Sequence, residues 1–287
     1  MSHPFTWRGR NLDLDRRTHV MGVINITPDS FSDGGLYFSH SKAIERGIQM
    51  AEEGVDIIDV GGESTRPYSR RIPVSEEIER VVPVIEALSR KVHVPISIDT
   101  IKADVAREAL SAGASIINDI TALRFDPRMS ALAAEAEVPV VLMHMKGTPE
   151  DMQMNPVYED VVTEVLLFLR ERTEYAEASG IRRNLIIIDP GIGFGKSFDH
   201  NLTLIRNLKA FTSFGNPVLL GTSNKAFIGH ILKKGPGERL TGTMATVAAG
   251  VMNGANIVRV HHVREAVETV KIIDAVLRGL GEGPREG

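Results

Sequence analysis

Residues 184–189 read NLIIID: four apolar side chains without a polar break, then an aspartate. A strand with one face in water would alternate. An unbroken Ile-rich run is instead the pattern of a parallel strand covered by helices on both faces. The same pattern recurs on either side. Upstream lie VMGVIN (20–25), VDIIDVGGEST (55–65), VPISID (94–99), ASIIND (114–119) and PVVLMH (139–144); downstream lie NPVLLGTS (216–223) and NIVRVH (256–261). Most are followed by a helical stretch, which predicts eight βα units in succession, a single (β/α)8 TIM barrel of the α/β class. Chemistry in that fold sits at the C-terminal strand ends. These runs end on Asn25, Thr65, Asp99, Asn118 with Asp119, His144, Asp189, Ser223, and Arg259 with His261.

Composition agrees with one such barrel. The chain has 287 residues, against the ~250 that a (β/α)8 barrel typically takes. With 43% hydrophobic and 24% charged residues it has the make-up of an ordinary soluble globular protein with a sizeable core. A net charge of -4 supplies no basic excess to neutralise phosphates, so no nucleic-acid partner is expected. No apolar run approaches the ~18 residues of a membrane span, and MSHPFTWRGRNLDLDRR has no signal-peptide core, so neither a membrane nor export is expected. The absence of cysteine excludes disulfide and thiolate chemistry and points to a cytoplasmic location.

The stretch FTWRGRNLDLDRRTHV (5–20) alternates around a Gly-Arg-Asn turn and predicts an N-terminal β-hairpin within residues 1–19, able to plug the barrel floor. No linker or low-complexity run follows, so residues 1–287 are expected to form one domain, with 280–287 a frayed tail. Helices are expected where SHSKAIERGIQMAEEG opens with a serine cap and closes at Gly54, and where IKADVAREALSAG, VYEDVVTEVLLFLRERTEYAEASG, TGTMATVAAGVMNG and REAVETVKIIDAVLRGL follow. Two strand-to-helix loops, 26–39 and 61–73, are long and polar, as lids over a site are. GIGFGKS is not a phosphate-binding loop of the Walker type, which would need glycine at Pro190. Its glycines suit close approach of backbone to a ligand instead.

The segments GVINITPDSFSDGG, IIDVGGESTRP, ISIDT, IINDI, LMHM, IIDPGIGFGK, LLGTSNKAFIG and IVRVH together resemble the dihydropteroate synthases, pterin-binding enzymes of folate synthesis. They run from the first barrel strand to the eighth. The resemblance implies the same barrel, and an enzyme that condenses 6-hydroxymethyl-7,8-dihydropterin diphosphate with 4-aminobenzoate. It also implies Mg2+, a homodimer built through helices late in the barrel, and small-molecule substrates only.

Residue by residue, the resemblance makes Asp189 the pterin clamp. A carboxylate accepts two parallel hydrogen bonds from the 2-amino group and ring N3–H. Asn118 and Asp99 complete the ring-edge contacts, Met143 supplies an apolar wall, and Lys225 reaches the pterin carbonyl or N5. Arg259 and His261 alternate on the last strand and so share a face, making an anion site in which Arg259 can also stack on the pterin. Arg259, His261 and Lys225 are therefore the expected catalytic groups. Asn25 is implied as the Mg2+ ligand and, with Thr65 and Arg66, as a diphosphate contact. Phe31, Thr65, Pro67, Phe194 and Ala226 fall on positions walling the 4-aminobenzoate pocket. Asp119 and His262 point away by the same alternation and are read as structural.

The chain departs from the family pattern at Ser223-Asn224-Lys225, where Ser-Arg-Lys is usual, at Ala226, and at Tyr68 with Ser69-Arg70-Arg71 after Arg66-Pro67. All fall on the aminobenzoate side, so weakened binding of sulfonamides, which mimic 4-aminobenzoate, is expected. Two other functions compete. A non-catalytic pterin-binding paralogue would keep the pterin residues alone. A pterin-dependent methyltransferase would have no need of NITPDSFSDGG, Thr65-Arg66-Pro67, Lys225 or the Arg259/His261 pair.

Overall fold

A computed structural model of the chain describes residues 5–27, 35–64, 71–148, 150–152, 154 and 156–279, with backbone only for 35–39. The expected tail and residues 28–34 and 65–70 of the two long loops, among them Phe31, Thr65, Arg66, Pro67 and Tyr68, lie outside these residues.

The eight apolar runs form the eight strands β3 (His19–Asn25), β4 (Ile57–Gly61), β5 (Ile96–Asp99), β6 (Ile116–Asp119), β7 (Val140–Met143), β8 (Ile186–Asp189), β9 (Leu219–Leu220) and β10 (Ile257–Val260). All pair in parallel, in the order β8-β7-β6-β5-β4-β3-β10-β9. The ring closes where Ile188 bridges Val218 and its N–H donates to Pro217 O at 2.9 Å. That seam is the shortest run of pairing, because Pro217 has no N–H to give a ladder.

Helices alternate with the strands: α1 (Gly35–Glu52), α2 (Val74–Ser89), α3 (Ala103–Ser111), α4 (Arg128–Ala136), α5 (Val161–Ala178), α6 (Phe198–Arg206), α7 (Ala226–Leu232), α8 (Leu240–Met252) and α9 (Val263–Arg278). Asp160 caps α5 by accepting from the N–H groups of Val162 and Thr163. Gly54 and Gly180 end α1 and α5 at φ of 90° and 95°, a backbone that side chains disfavour. One boundary differs from expectation. Helix α1 begins at Gly35 rather than near Ser39, since LYFSHSKAIE contains no breaker and helix can extend back to the glycine pair. Among the described residues no helix is long and apolar enough to cross a membrane.

The hairpin is present as β1 (Phe5–Trp7) and β2 (Arg10–Leu12), with Phe5 opposite Leu12. Its turn is Arg8-Gly9, both at positive φ, one residue earlier than the sequence suggested. Phe5, Trp7, Leu12 and Leu14 are buried. Arg10 Nη1 donates to His93 O at 3.2 Å and Asn256 Nδ2 to Leu14 O at 3.1 Å, both just before barrel strands. The hairpin thus covers the N-terminal strand ends, leaving the opposite end for chemistry.

Candidate active site

Strand register sets the first row of the site. Asn25 pairs with Gly61, Gly61 with Asp99, and Asp99 with Asn118, so one row crosses β3 to β6 at their C-terminal ends. That row continues through Val141 and Ile187, and Met143 pairs with Asp189 two residues further toward the mouth on β7 and β8. Arg259 starts lower in the ladder, level with Met21, and needs its long side chain to reach the mouth.

It reaches two carboxylates. Nε lies 2.7 Å and Nη2 2.6 Å from Asp59 Oδ2, and Nη2 lies 2.7 Å from Asp99 Oδ2. Asn118 Nδ2 donates to the same Asp59 oxygen at 3.1 Å. Burial opposes the guanidinium charge, but Asp59 and Asp99 outweigh it and raise the Arg259 pKa. Asp99 is pushed up to about 7, first by burial and then by the charges of Asp59 and Glu77, against the pull of Arg259. Asp59 lies in the middle of β4 and not at its end, where the sequence displays site residues. Its signal was a carboxylate in the middle of a fully buried strand, which demands a partner.

Across the barrel, Asp189 is buried and its Oδ1 accepts from Gly191 N–H at 2.7 Å. It therefore caps the turn after β8 while presenting its carboxylate to the mouth. Burial lifts it to about 6, against the Gly191 hydrogen bond and the positive charges of Lys225, Lys196 and Arg259. Lys225 ends the turn before α7, with Nζ 4.3 Å above the Phe194 ring centroid. Burial and the charge of Arg259 lower it to about 8. Met143 is buried with Ile101, Ile120, Met145 and Met152, and Phe194 packs on this cluster. The apolar wall expected of Met143 is thus several residues wide.

His261 Nδ1 is 2.9 Å from Ser223 Oγ, which also accepts from the His261 N–H at 3.2 Å. The ends of β10 and the turn after β9 are thereby tied together. Asn224 has φ of 58°, left-handed backbone that asparagine tolerates better than most side chains. Its carbonyl accepts from Arg239 Nη1 at 2.8 Å. Ala226 is exposed at the start of α7. Asp119 is buried and bonds Thr121 and Leu123 N–H groups, a structural role as read from alternation. Next to Asp99 a cavity of about 200 Å³ opens between the ends of β5, β6 and β7, walled by Ile101, Ile120, Phe125 and Met145.

The glycines of GIGFGK are required by packing within the protein itself. A Cβ on Gly191 would lie 1.9 Å from His144 O, and one on Gly195 2.2 Å from Lys146 O. They let the β8 loop lie on the end of β7, and Gly193 alone faces a site group, Lys225.

The arrangement offers paired acceptors, an amide with both donor and acceptor, and two cations around one mouth. It suits an aromatic heterocycle with several edge N–H groups and an anionic leaving group. Residues 21–261 match the pterin binding enzyme family. The dihydropteroate synthase of Escherichia coli strain K12 is 46% identical over 270 residues, 94% of this chain and 95% of that protein. A Yersinia pestis dihydropteroate synthase, solved with a sulfonamide drug complex, superposes with a TM-score of 0.91 at 42% identity, covering 96% of this chain and 99% of that one. The Xanthomonas albilineans enzyme in complex with 7,8-dihydropteroate superposes with a TM-score of 0.85 at 43% identity, covering 94% and 97%.

Proposed function

The chain belongs to the pterin-binding enzyme family, and from that premise we propose how its strand ends divide the work of a dihydropteroate synthase. The reaction joins 6-hydroxymethyl-7,8-dihydropterin diphosphate to 4-aminobenzoate, giving 7,8-dihydropteroate and pyrophosphate. The observation that carries the assignment is the convergence of Asp99, Asn118, Asp189 and Lys225 at one end of the barrel, in a chain similar to an enzyme solved with 7,8-dihydropteroate.

Asp189 takes the 2-amino and N3–H edge, since its Oδ1 is already held in place by Gly191. Asn118 and Asp99, adjacent in the sheet, meet the remaining ring nitrogens. Lys225 donates to the pterin carbonyl or N5 from beside Phe194. The carbon–oxygen bond to the diphosphate breaks with its electron pair leaving on pyrophosphate. The aminobenzoate nitrogen then bonds to that carbon and sheds a proton. Arg259 has Nε and Nη2 committed to the aspartates, so Nη1 is the atom assigned to the diphosphate, with His261 beside it. Donors fixed before the reaction stabilise the developing charge without reorganising.

Asn25 fits the implied Mg2+. Among the described residues no group of three His, Asp or Glu side chains could hold a metal. Asn25 Oδ1 and Asp99 Oδ2 both lie near the Gly61 Cα face, 3.6 and 3.7 Å from where a Cβ would stand. Magnesium accepts one or two protein oxygens and fills its other positions with water and substrate phosphate. When bound it would offset diphosphate charge.

A homodimer is supported by exposed apolar side chains on the last two helices, Met252 on α8 and Ile272 and Val276 on α9. Light scattering tests it, with a monomer at micromolar concentration overturning it. The function itself is tested by pyrophosphate release from the pterin diphosphate, with and without 4-aminobenzoate and with and without a chelator. Release that needs both 4-aminobenzoate and Mg2+ is expected; no release under any condition would overturn the reading.

A further inference from the structure

Lys196 is the one ionisable side chain of GIGFGK, and it is turned inward, 2% exposed. Its Nζ lies 2.8 Å from His144 Nδ1, 3.0 Å from Phe194 O and 3.3 Å from His144 O. None of the three is a carboxylate. Three acceptors match the three N–H bonds of an ammonium, although burial pushes the Lys196 pKa well below its ordinary value. His144 is pushed down to about 2 by burial and by the charge of Lys196, so its ring stays neutral and can accept at Nδ1.

An apolar side chain would fill this space without the desolvation a buried amine suffers. What the amine adds is direction. It reaches from the loop after β8 to the backbone at the end of β7, where the loop already lies so close that only glycine fits at 191 and 195. Tyr158 supports the same loop, donating from its hydroxyl to Gly195 O at 2.7 Å. The Phe194 carbonyl held by Lys196 belongs to the residue whose ring lies under the Lys225 ammonium.

We propose that Lys196 is a positioning residue: it fastens the β8 loop to the end of β7 and, through Phe194, sets where the Lys225 ammonium stands against the pterin. With all three N–H bonds engaged inside the protein, Lys196 does not touch substrate. The proposal rests on the role assigned above to Lys225.

The test is a double-mutant cycle on the full chain, reading kcat/KM for 6-hydroxymethyl-7,8-dihydropterin diphosphate at saturating 4-aminobenzoate. Lys196→Met and Phe194→Leu are each expected to lose about 10- to 100-fold, the scale of a misplacement near 1 Å. The double variant is expected to lose no more than the worse single one, because both break the same chain of contacts. Wild-type turnover by Lys196→Met, or losses that multiply, would overturn the proposal. A role confined to stability would leave the two effects independent. If circular dichroism shows Lys196→Met unfolded, Lys196→Gln keeps two N–H donors and replaces it. Its loss should be smaller and vanish in the Phe194→Leu background, and wild-type turnover or multiplying losses again overturn the idea. A wild-type chain that releases no pyrophosphate would strike the assigned function instead. The same cycle read on binding of the pterin diphosphate by calorimetry would then decide Lys196 by the same criterion.

Discussion

Arg259 on β10 and Asp59 on β4 form an ion pair over the intervening strand β3, in which Nε and Nη2 both approach a single carboxylate oxygen, at 2.7 and 2.6 Å. Asp59 is fully buried, so this contact fixes the guanidinium from below while Asp99 holds its outer edge. Asp59→Asn keeps the shape and an acceptor but loses the charge. It should destabilise the fold by about 2 kcal/mol, the value of a hydrogen bond to a charged group, measurable by urea denaturation. Its larger signature is in the pH profile. The charge of Asp59 helps raise Asp99, so removing it lets Asp99 ionise at lower pH and moves the acid limb of activity downward. An unmoved acid limb would mean that Asp99 is not the group being titrated.

Burial of the pterin carboxylates sets activity against stability. Asp189 is lifted from 3.8 to about 6 and Asp99 to about 7. Folded values above unfolded ones mean that each contributes stability fully present below the unfolded pKa, near 4, and lost as pH rises through the folded value. Pterin binding runs the other way, because only the ionised carboxylate accepts two N–H bonds. Asp189→Asn, whose amide oxygen can still accept from Gly191, should therefore abolish turnover. At pH 8 without ligand it should be more stable than the parent by up to about 3 kcal/mol, and so melt higher, with the gain fading toward pH 4. Scanning calorimetry at the two pH values checks it, and equal melting temperatures at pH 8 would contradict it.

Lys225 predicts the alkaline side. Lowered to about 8 by burial and by Arg259, it is a cation at neutral pH and loses its proton within the assay range. Turnover should fall as pH rises through about 8. Lys225→Gln should reduce kcat/KM by about 100-fold at pH 7, as loss of one fixed donor does elsewhere. Lys225→Arg should retain part of the activity and lose the alkaline limb, because a guanidinium stays ionised. An alkaline limb that survives in Lys225→Arg would assign it to another group.

These residues differ in how openly the sequence displays them. Asp99, Asn118, Asp189 and Arg259 close or lie in apolar runs, and the runs themselves specify strands, so order along the chain becomes position around the barrel. Asp59 is hidden because its partner is 200 residues away and only barrel closure brings β10 beside β3, one strand from β4. Lys196 was hidden for a related reason. GIGFGK shows that the backbone must approach something closely, but whether that is a ligand or the end of β7 depends on packing between neighbouring strands. Helix α1 and the Arg8-Gly9 turn slipped by a few residues and by one, since local propensity is nearly flat there and tertiary contacts decide.

The turn before α7 joins a backbone constraint to a question of drug recognition. Asn224 sits at φ 58°, with its N–H on Thr243 Oγ1 at 3.2 Å and its carbonyl bonded by Arg239. Arginine, usual in the family by the resemblance drawn above, would adopt this backbone at an added strain of about 1 kcal/mol. It would place a guanidinium at the aminobenzoate side of the mouth, and serine in place of the exposed Ala226 would add a hydroxyl at the first turn of α7. The N224R/A226S double variant is therefore expected to melt slightly lower than the parent while binding a sulfonamide more tightly. Charge-assisted contact to the anionic end of the drug supports a gain of about tenfold, equal to 1.4 kcal/mol. Inhibition constants for both proteins, taken at equal 4-aminobenzoate saturation, decide it. If the parent is already inhibited as strongly as the double variant, the departures at 224 and 226 do not weaken sulfonamide binding, because backbone N–H groups at the start of α7 then hold the anion unaided.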